Sequence, residues 1–344
     1  MLSRLSSRLS LTLSVLRHGR RALSARQDFP SIAVEEVAEA QAFFPRPKFF
    51  VYGHARSGTT LLMRLIDAHP DVFCTRQAHF FSRPPLLRSL VADPDVAFWL
   101  ARGSFRWNRG RDLSPVVMRA AADFILEREA AGAGAGIVGD KSPNSLNDGE
   151  AVDLTHQIYP DARIVYIVRD GRDAVLSHRF QSFIDATQHL TRADWRIRAD
   201  FERDPDSFRS PEKSLFSKAE IRSAAAGWDR NVRTTSARGT ALYGEKYYEL
   251  RFEDLLADPF EEMAKLWQFL GADPGFPGRD EAIGAVIEQN RDAAWQGKKA
   301  GDFADRIPKG QSGSWREFFN DRDMRIFQEL AGETLIKWRY AVEN

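Results

Sequence analysis

Short hydrophobic runs, each closed by a glycine or a charged residue, alternate along this chain with segments whose apolar positions recur at helical spacing. Lys48-Phe-Phe-Val-Tyr-Gly53 is the first such run and predicts a buried strand. Residues 57–60 lead into Leu61-Leu-Met-Arg-Leu-Ile-Asp-Ala68, a helical pattern that His69-Pro70 ends. Residues 84–130 read as helical with loops, 132–136 as a glycine-rich flexible tip, Ile137-Val138 as a short strand, and 148–159 as a helix stopped by Pro160. Arg163-Ile-Val-Tyr-Ile-Val168 is the clearest strand, continuous and β-branched as in a sheet covered on both faces. Residues 247–252 read as another strand, and Pro259–Leu270 as a helix entered through Asp258-Pro259. This alternation predicts an α/β fold of three layers, a central parallel sheet flanked by helices. The polar, Arg- and Asp-rich stretch 185–227 interrupts the rhythm and reads as an insertion.

Composition adds bounds. A chain of 344 residues with 43% apolar and 28% charged residues can bury a full globular core. The net charge of +1 offers no global field for nucleic acid, so any anion site must be local. Cys74 is the single cysteine, which forbids an intrachain disulfide and fits a reducing compartment. His156 stands alone, and His178 and His189 lack ligand spacing, so no metal is expected. The first 27 residues carry Arg4, Arg8, Arg17, Arg20, Arg21 and Arg26, many serines and no acid. Their apolar stretch, 11–16, is too short for a signal peptide or a transmembrane segment. The reading is a basic N-terminal arm and linker over 1–44 before a domain over 45–344, in a cytoplasmic protein. The alternative is import into an organelle through the Arg- and Ser-rich N-terminus.

Two segments carry candidate chemistry. Gly53-His-Ala-Arg-Ser-Gly58-Thr59-Thr60 joins a strand to a helix through a glycine-bounded loop, an order that aims backbone N–H groups at one point and suits an anion. The glycine spacing is P-loop-like, but an ATP-binding loop needs Lys and then Ser or Thr where this chain has Thr59-Thr60. A tight turn without ligand is the bland alternative. Further on, Arg169 follows the clearest strand, at the rim where doubly wound sheets bind ligands, and Ser177 lies about two helical turns beyond it. By itself Arg169 could equally be a surface residue paired with Asp170 or Asp173.

Arg56-Ser-Gly-Thr-Thr-Leu-Leu, with Asp67-Ala-His-Pro-Asp-Val72, resembles the 5′-phosphosulfate loop of sulfotransferases that use 3′-phosphoadenosine-5′-phosphosulfate (PAPS). It is most similar to tyrosylprotein and heparan sulfate sulfotransferases. The resemblance implies that Arg56 meets the oxygen between phosphate and sulfate, and that Ser57, Gly58, Thr59 and Thr60 bind the 5′-phosphate. Val168-Arg-Asp-Gly-Arg-Asp-Ala-Val-Leu-Ser177 is similar to the family's second signature, which implies that Arg169 and Ser177 hold the 3′-phosphate of PAPS and of its product PAP. Phe252 matches an aromatic position beside the adenosine. Pro308-Lys-Gly-Gln-Ser-Gly-Ser-Trp315 resembles a closing element, which implies contacts from Lys309 and Gly310. Asp140-Lys-Ser-Pro143 looks like an element whose lysine, here Lys141, binds the transferring sulfonate or the acceptor.

The resemblance also exposes a departure. Related enzymes place a glutamate base where this chain has Gln77, which cannot accept a proton at neutral pH. His79 becomes the candidate base, with Asp140 second. The implied reaction moves a sulfuryl group in line, without metal, to a hydroxyl or amine of a small-molecule, carbohydrate or peptide acceptor. A silent PAPS- or PAP-binding module and a P-loop kinase-like phosphotransferase are the competing readings. Residues 84–130 and 185–227, with Trp99, Trp107, Trp195, Trp228 and several arginines, are the expected acceptor pocket. Oligomeric state is not encoded in any of these patterns.

Overall fold

The computed structural model describes residues 28–82, 87–289, 307 and 311–340. The chain runs α1 (Val34–Phe43), β1 (Lys48–Gly53), α2 (Thr59–Ile66), β2 (Val72–Arg76), α3 (Pro94–Ala101), α4 (Ser114–Ala133), β3 (Ile137–Lys141), α5 (Glu150–Ile158) and β4 (Arg163–Val168). It continues through α6 (Gly171–Asp185), α7 (Arg192–Arg203), α8 (Lys218–Tyr243), β5 (Tyr247–Arg251), α9 (Phe252–Ala257), α10 (Pro259–Leu270) and α11 (Arg279–Glu288). It ends in α12 (Trp315–Phe318) and α13 (Asp321–Lys337). The strands form one five-stranded sheet, all parallel, in the order β2-β3-β1-β4-β5.

The three layers follow from side-chain alternation along the central strands. Phe49 and Val51 of β1, Val165 and Ile167 of β4 and Leu250 of β5 share one core with Leu62, Leu65 and Ile66 of α2 and Leu266, Trp267 and Leu270 of α10. Phe50 and Tyr52, with Ile164, Tyr166 and Val168, belong to the other core, with Met118 of α4, Val152 of α5, Leu176 of α6 and Trp228 of α8. This double burial is why β1 and β4 read as continuous apolar runs.

Local chemistry sets the helix ends. Asp258 accepts from Glu261 N with Pro259 at the first turn of α10, and Gly271, at φ 88°, ends that helix. Ser217 and Glu220 form a capping box at the start of α8. The tip expected at 132–136 begins as the end of α4, which stops at Ala133 and is capped by Gly134 in the left-handed region.

One boundary differs from the reading of the sequence. Phe29 and Ile32 are buried, Ile32 N donates to Gln157 O, and α1 packs on α4, so residues from Phe29 onward already belong to the packed body. The basic arm proper, 1–27, lies outside the described residues. The stretch 185–227 leaves the α/β alternation but is firmly packed. It holds α7 and the start of α8, buries Phe201, Phe208 and Phe216, and is tied to α6 by Arg179, which donates to Asp194, Glu220 and Leu215 O. Among the described residues, no helix is long and apolar enough to cross a membrane.

Strand β2 is an edge of the sheet, and Asp67 Oδ1 accepts from its Cys74 N at 2.8 Å. Burial pushes the Asp67 carboxyl from its ordinary 3.8 up to about 6, outweighing that hydrogen bond and the charge of Arg76. A folded-state pKa above the unfolded one favours the fold at low pH, and the advantage is lost as pH rises through about 6. Denaturant unfolding at a series of pH values checks this: wild type should lose stability across that window relative to Asp67→Asn, and parallel profiles would contradict the assignment.

Candidate active site

Parallel register brings the carboxyl ends of the strands to one edge, with Val51 opposite Lys141, Gly53 opposite Ile167, Arg76 opposite Lys141 and Val168 opposite Arg251. That edge therefore collects the loop 54–58, Gln77–His79, Lys141-Ser142, Arg169 and Phe252. In open α/β sheets this is where ligands bind.

The first loop is built from backbone constraints. A Cβ at Gly53 would stand 2.8 Å from Thr59 Cγ2 and 2.9 Å from Ile167 O. Ser57 N donates to His54 O, and Arg56 takes a left-handed φ of 70°. Gly58 has φ 85°, and a Cβ there would lie 2.2 Å from the ring of Phe252. Only glycine satisfies both demands. Helix α2 starts at Thr59, so its unbonded first-turn N–H groups open onto the loop. The hydroxyl of Ser57 is buried and has no hydrogen-bond partner.

The second cradle lies against the first. Arg169 is 6% exposed, donates to Arg56 O at 3.1 Å and to Gln311 O at 2.9 Å, and holds its guanidinium 4.9 Å from the centroid of Phe252. Its Nε is buried without a partner. The neighbouring acids are engaged elsewhere. Asp170 caps α6 and takes both arms of Arg172 at 2.9 and 2.7 Å. Asp173 accepts from Gly313 N at 2.6 Å and Trp315 N at 3.0 Å. Burial raises the Asp173 carboxyl, with nearby Arg169 opposing. Arg56 Nε donates to Ser177 Oγ at 3.1 Å, linking the two motifs directly.

Histidines flank this cation. Burial holds His54 down to about 4, and burial with Arg56 and Arg179 lowers His178, so both imidazoles are neutral around Arg56 at neutral pH.

On the other side, Asp140 organises the segment after β2. Its Oδ1 accepts from Thr75 Oγ1 at 2.8 Å and Ala78 N at 2.9 Å, and its Oδ2 from Ser142 Oγ at 2.6 Å. Ser142 Oγ in turn accepts from His79 N at 3.0 Å, and Gln77 N donates to Lys141 O. Gln77 and His79 both have positive φ, 57° and 52°, a strained pair that these bonds hold in place. His79 is half-buried, with Nδ1 3.0 Å from Ser82 Oγ, whereas Gln77 is exposed. Lys141 is buried beside Asp140.

Arg56, the loop hydroxyls, Arg169, Ser177 and Phe252 are thus brought together, and His79 and Lys141 share the same sheet edge. Phe252 is 4% exposed and supports Gly58 and Arg169 rather than facing solvent. Lys309 and Gly310 lie outside the described residues; their neighbour Gln311 meets Arg169. Trp228 is fully buried, with a Cβ at Gly171 only 2.4 Å from its ring, so it belongs to the core and not to an acceptor pocket. Sequence reasoning missed Asp140 as an anchor and Asp173 as the clamp on 313–315. The one-residue spacing of Asp140 and Ser142 after a strand was the available signal for the first.

The parallel sheet thus carries two arginine-bearing loops at its carboxyl edge, a geometry that suits a bound anion. The family model described as the sulfotransferase family matches residues 47–276, and the chain belongs to that family. A protein-tyrosine sulfotransferase of Drosophila melanogaster is 35% identical over 134 residues, covering 38% of this chain and 25% of that protein. Protein-tyrosine sulfotransferase 1 of Danio rerio is 30% identical over 132 residues, covering 38% of this chain and 35% of that protein. The match thus spans about a quarter to a third of these curated relatives. Among solved structures, the mouse sulfotransferase SULT7A1 complexed with PAP is similar at 18% identity, covering 88% of this chain and 90% of that one with a TM-score of 0.47.

Removing the Asp140 anchor strands three donors in a buried setting. Asp140→Ala should cost about 3 kcal/mol in denaturant unfolding, and Ser142→Ala about 1 kcal/mol. Equal stability of wild type and Asp140→Ala would show that the carboxylate does not hold this segment.

Proposed function

We propose that this chain transfers a sulfuryl group from PAPS to a hydroxyl or amine acceptor, in line and without metal. The observation that carries the reading is the Arg56–Ser177 hydrogen bond, which joins two anion-binding motifs 121 residues apart. The residues present fit a doubly phosphorylated nucleotide: Ser57 Oγ and Arg169 Nε are buried polar atoms without partners in the two cradles. Bound PAPS would supply the activated sulfuryl group. The loop amides with the Ser57, Thr59 and Thr60 hydroxyls would hold its 5′-phosphate, and Arg169 with Ser177 its 3′-phosphate, where a guanidinium fork matches phosphate oxygens. Arg56 answers the charge that builds on the leaving oxygen. Lys141 orients the acceptor, and His79, fixed through Nδ1 by Ser82, takes its proton.

Asp140 is less suited to that task because both of its oxygens already accept from donors inside the fold. A kinase-like reading fails on the missing lysine, since Thr59 stands in its place and is buried against Gly53. The names of the relatives make a tyrosyl peptide the first acceptor to try, followed by carbohydrates and small phenols. A cytoplasmic location is part of the reading, with organelle import as its alternative.

Titration should give PAP binding tighter than ATP binding, with no requirement for Mg²⁺. Labelled PAPS with an acceptor panel then separates transfer from silent binding. Arg56→Ala should slow transfer at least about 100-fold while PAP still binds, and full turnover in that variant would refute the loop assignment. Arg169→Ala should weaken PAP binding by roughly 10- to 100-fold. Gln77→Glu should speed transfer if residue 77, two positions before His79, faces the acceptor; an unchanged rate would place the acceptor elsewhere.

A further inference from the structure

Helix α3 and the loop that follows it expose a set of large apolar side chains. Phe98 is 58% exposed, Trp99 53% and Trp107 49%, and Leu90, on the short turn packed against α3, is 52% exposed. These are not scattered singly. The indoles of Trp99 and Trp107 stack with centroids 4.8 Å apart, and Phe98 meets Phe105 edge-on at 6.4 Å. The guanidinium of Arg102 lies 5.0 Å from the centroids of both Phe98 and Phe105.

The same loop holds Arg106 and Arg109. Among the described residues, Arg102, Arg106 and Arg109 form no ion pair, whereas Arg111, next along, is paired with Glu36. The loop is firmly built: Asn108 is 1% exposed, donates to Leu100 O and Arg102 O, and accepts from Gly110 N. Arg109 and Gly110 take left-handed φ values of 55° and 73° to make the turn. A preformed turn thus displays three unneutralised guanidinium groups among half-exposed aromatic rings.

We propose that this surface docks on an anionic lipid bilayer. Indole and phenyl rings suit the boundary between headgroups and acyl chains, and arginines beside them suit lipid phosphates. A soluble anionic polymer would explain the arginines but not Phe98 and Leu90 standing out in water. None of these residues belongs to the anion cradles, so the proposal does not rest on the cofactor reading.

The test is co-sedimentation of the full chain with vesicles of phosphatidylcholine alone or mixed with phosphatidylglycerol, at low and high salt. Binding is expected to the mixed vesicles and to weaken with salt. It should fall about fivefold for each arginine replaced in Arg102→Gln and Arg106→Gln. Brominated lipids report the rings directly: they should quench tryptophan fluorescence in wild type and lose that quenching in the Trp99→Phe, Trp107→Phe double variant. The N-terminal arm has no tryptophan, so its own attraction to lipid cannot mimic this signal. Unchanged PAP binding and melting temperature in the variants establish that they fold. Absence of quenching, binding indifferent to the substitutions, or retention on heparin without vesicle binding would overturn the proposal.

Discussion

The ring of Phe252 fills the space that any side chain at residue 58 would need. That one close approach fixes much of the site. It requires glycine at a positive φ, which turns the loop into helix α2 and presents the first-turn amides. The same ring lies beneath the guanidinium of Arg169, so the ends of β1, β4 and β5 are locked together through one aromatic side chain. The parallel register sets the strand ends level, and the Phe252 contact sets the two cradles against each other. Arg56 and Ser177 can then meet across 121 residues of sequence.

Much of this was legible in the sequence because it rests on local rules. Strands buried on both faces leave continuous apolar runs, and Lys48–Gly53 and Arg163–Val168 were read to the residue. Pro259–Leu270 was equally plain, since its start and stop are written in Asp258, Pro259 and Gly271. Strand β2 was not seen, because Phe73-Cys-Thr-Arg76 lacks a continuous apolar pattern and is held by pairing with β3 and by the Asp67 side chain. Helix α8 escaped for the opposite reason. Its Ser217–Glu220 capping box is a local signal, but the polar stretch before it disguised the start.

Long-range contacts were the least legible part. Nothing near Asp140 in sequence announces that its carboxylate will bind Thr75 and Ala78 on another strand end. Trp228 looked like a candidate pocket wall because tryptophan and arginine neighbours suit ligands. Its burial against Gly171 depends on the crossing of α8 over α6, which no local pattern encodes. Likewise the polar composition of 185–227 was visible, whereas the Arg179 bonds that bind it to the body were not.

The two halves of the site differ in kind. On the cofactor side, charge comes from guanidinium groups, which do not titrate in the physiological range. The imidazoles beside them, His54 and His178, are driven toward the neutral form by burial and neighbouring cations. The neutral form of both rings is thus favoured beside Arg56 at neutral pH. At position 77, where the family resemblance leads one to expect a glutamate, the chain has Gln77, which carries no proton-accepting charge. The anchoring carboxylate of Asp140 is consumed by three internal donors. An acceptor with an acidic hydroxyl would lighten the demand on His79, which ties the choice of acceptor to the loss of the glutamate.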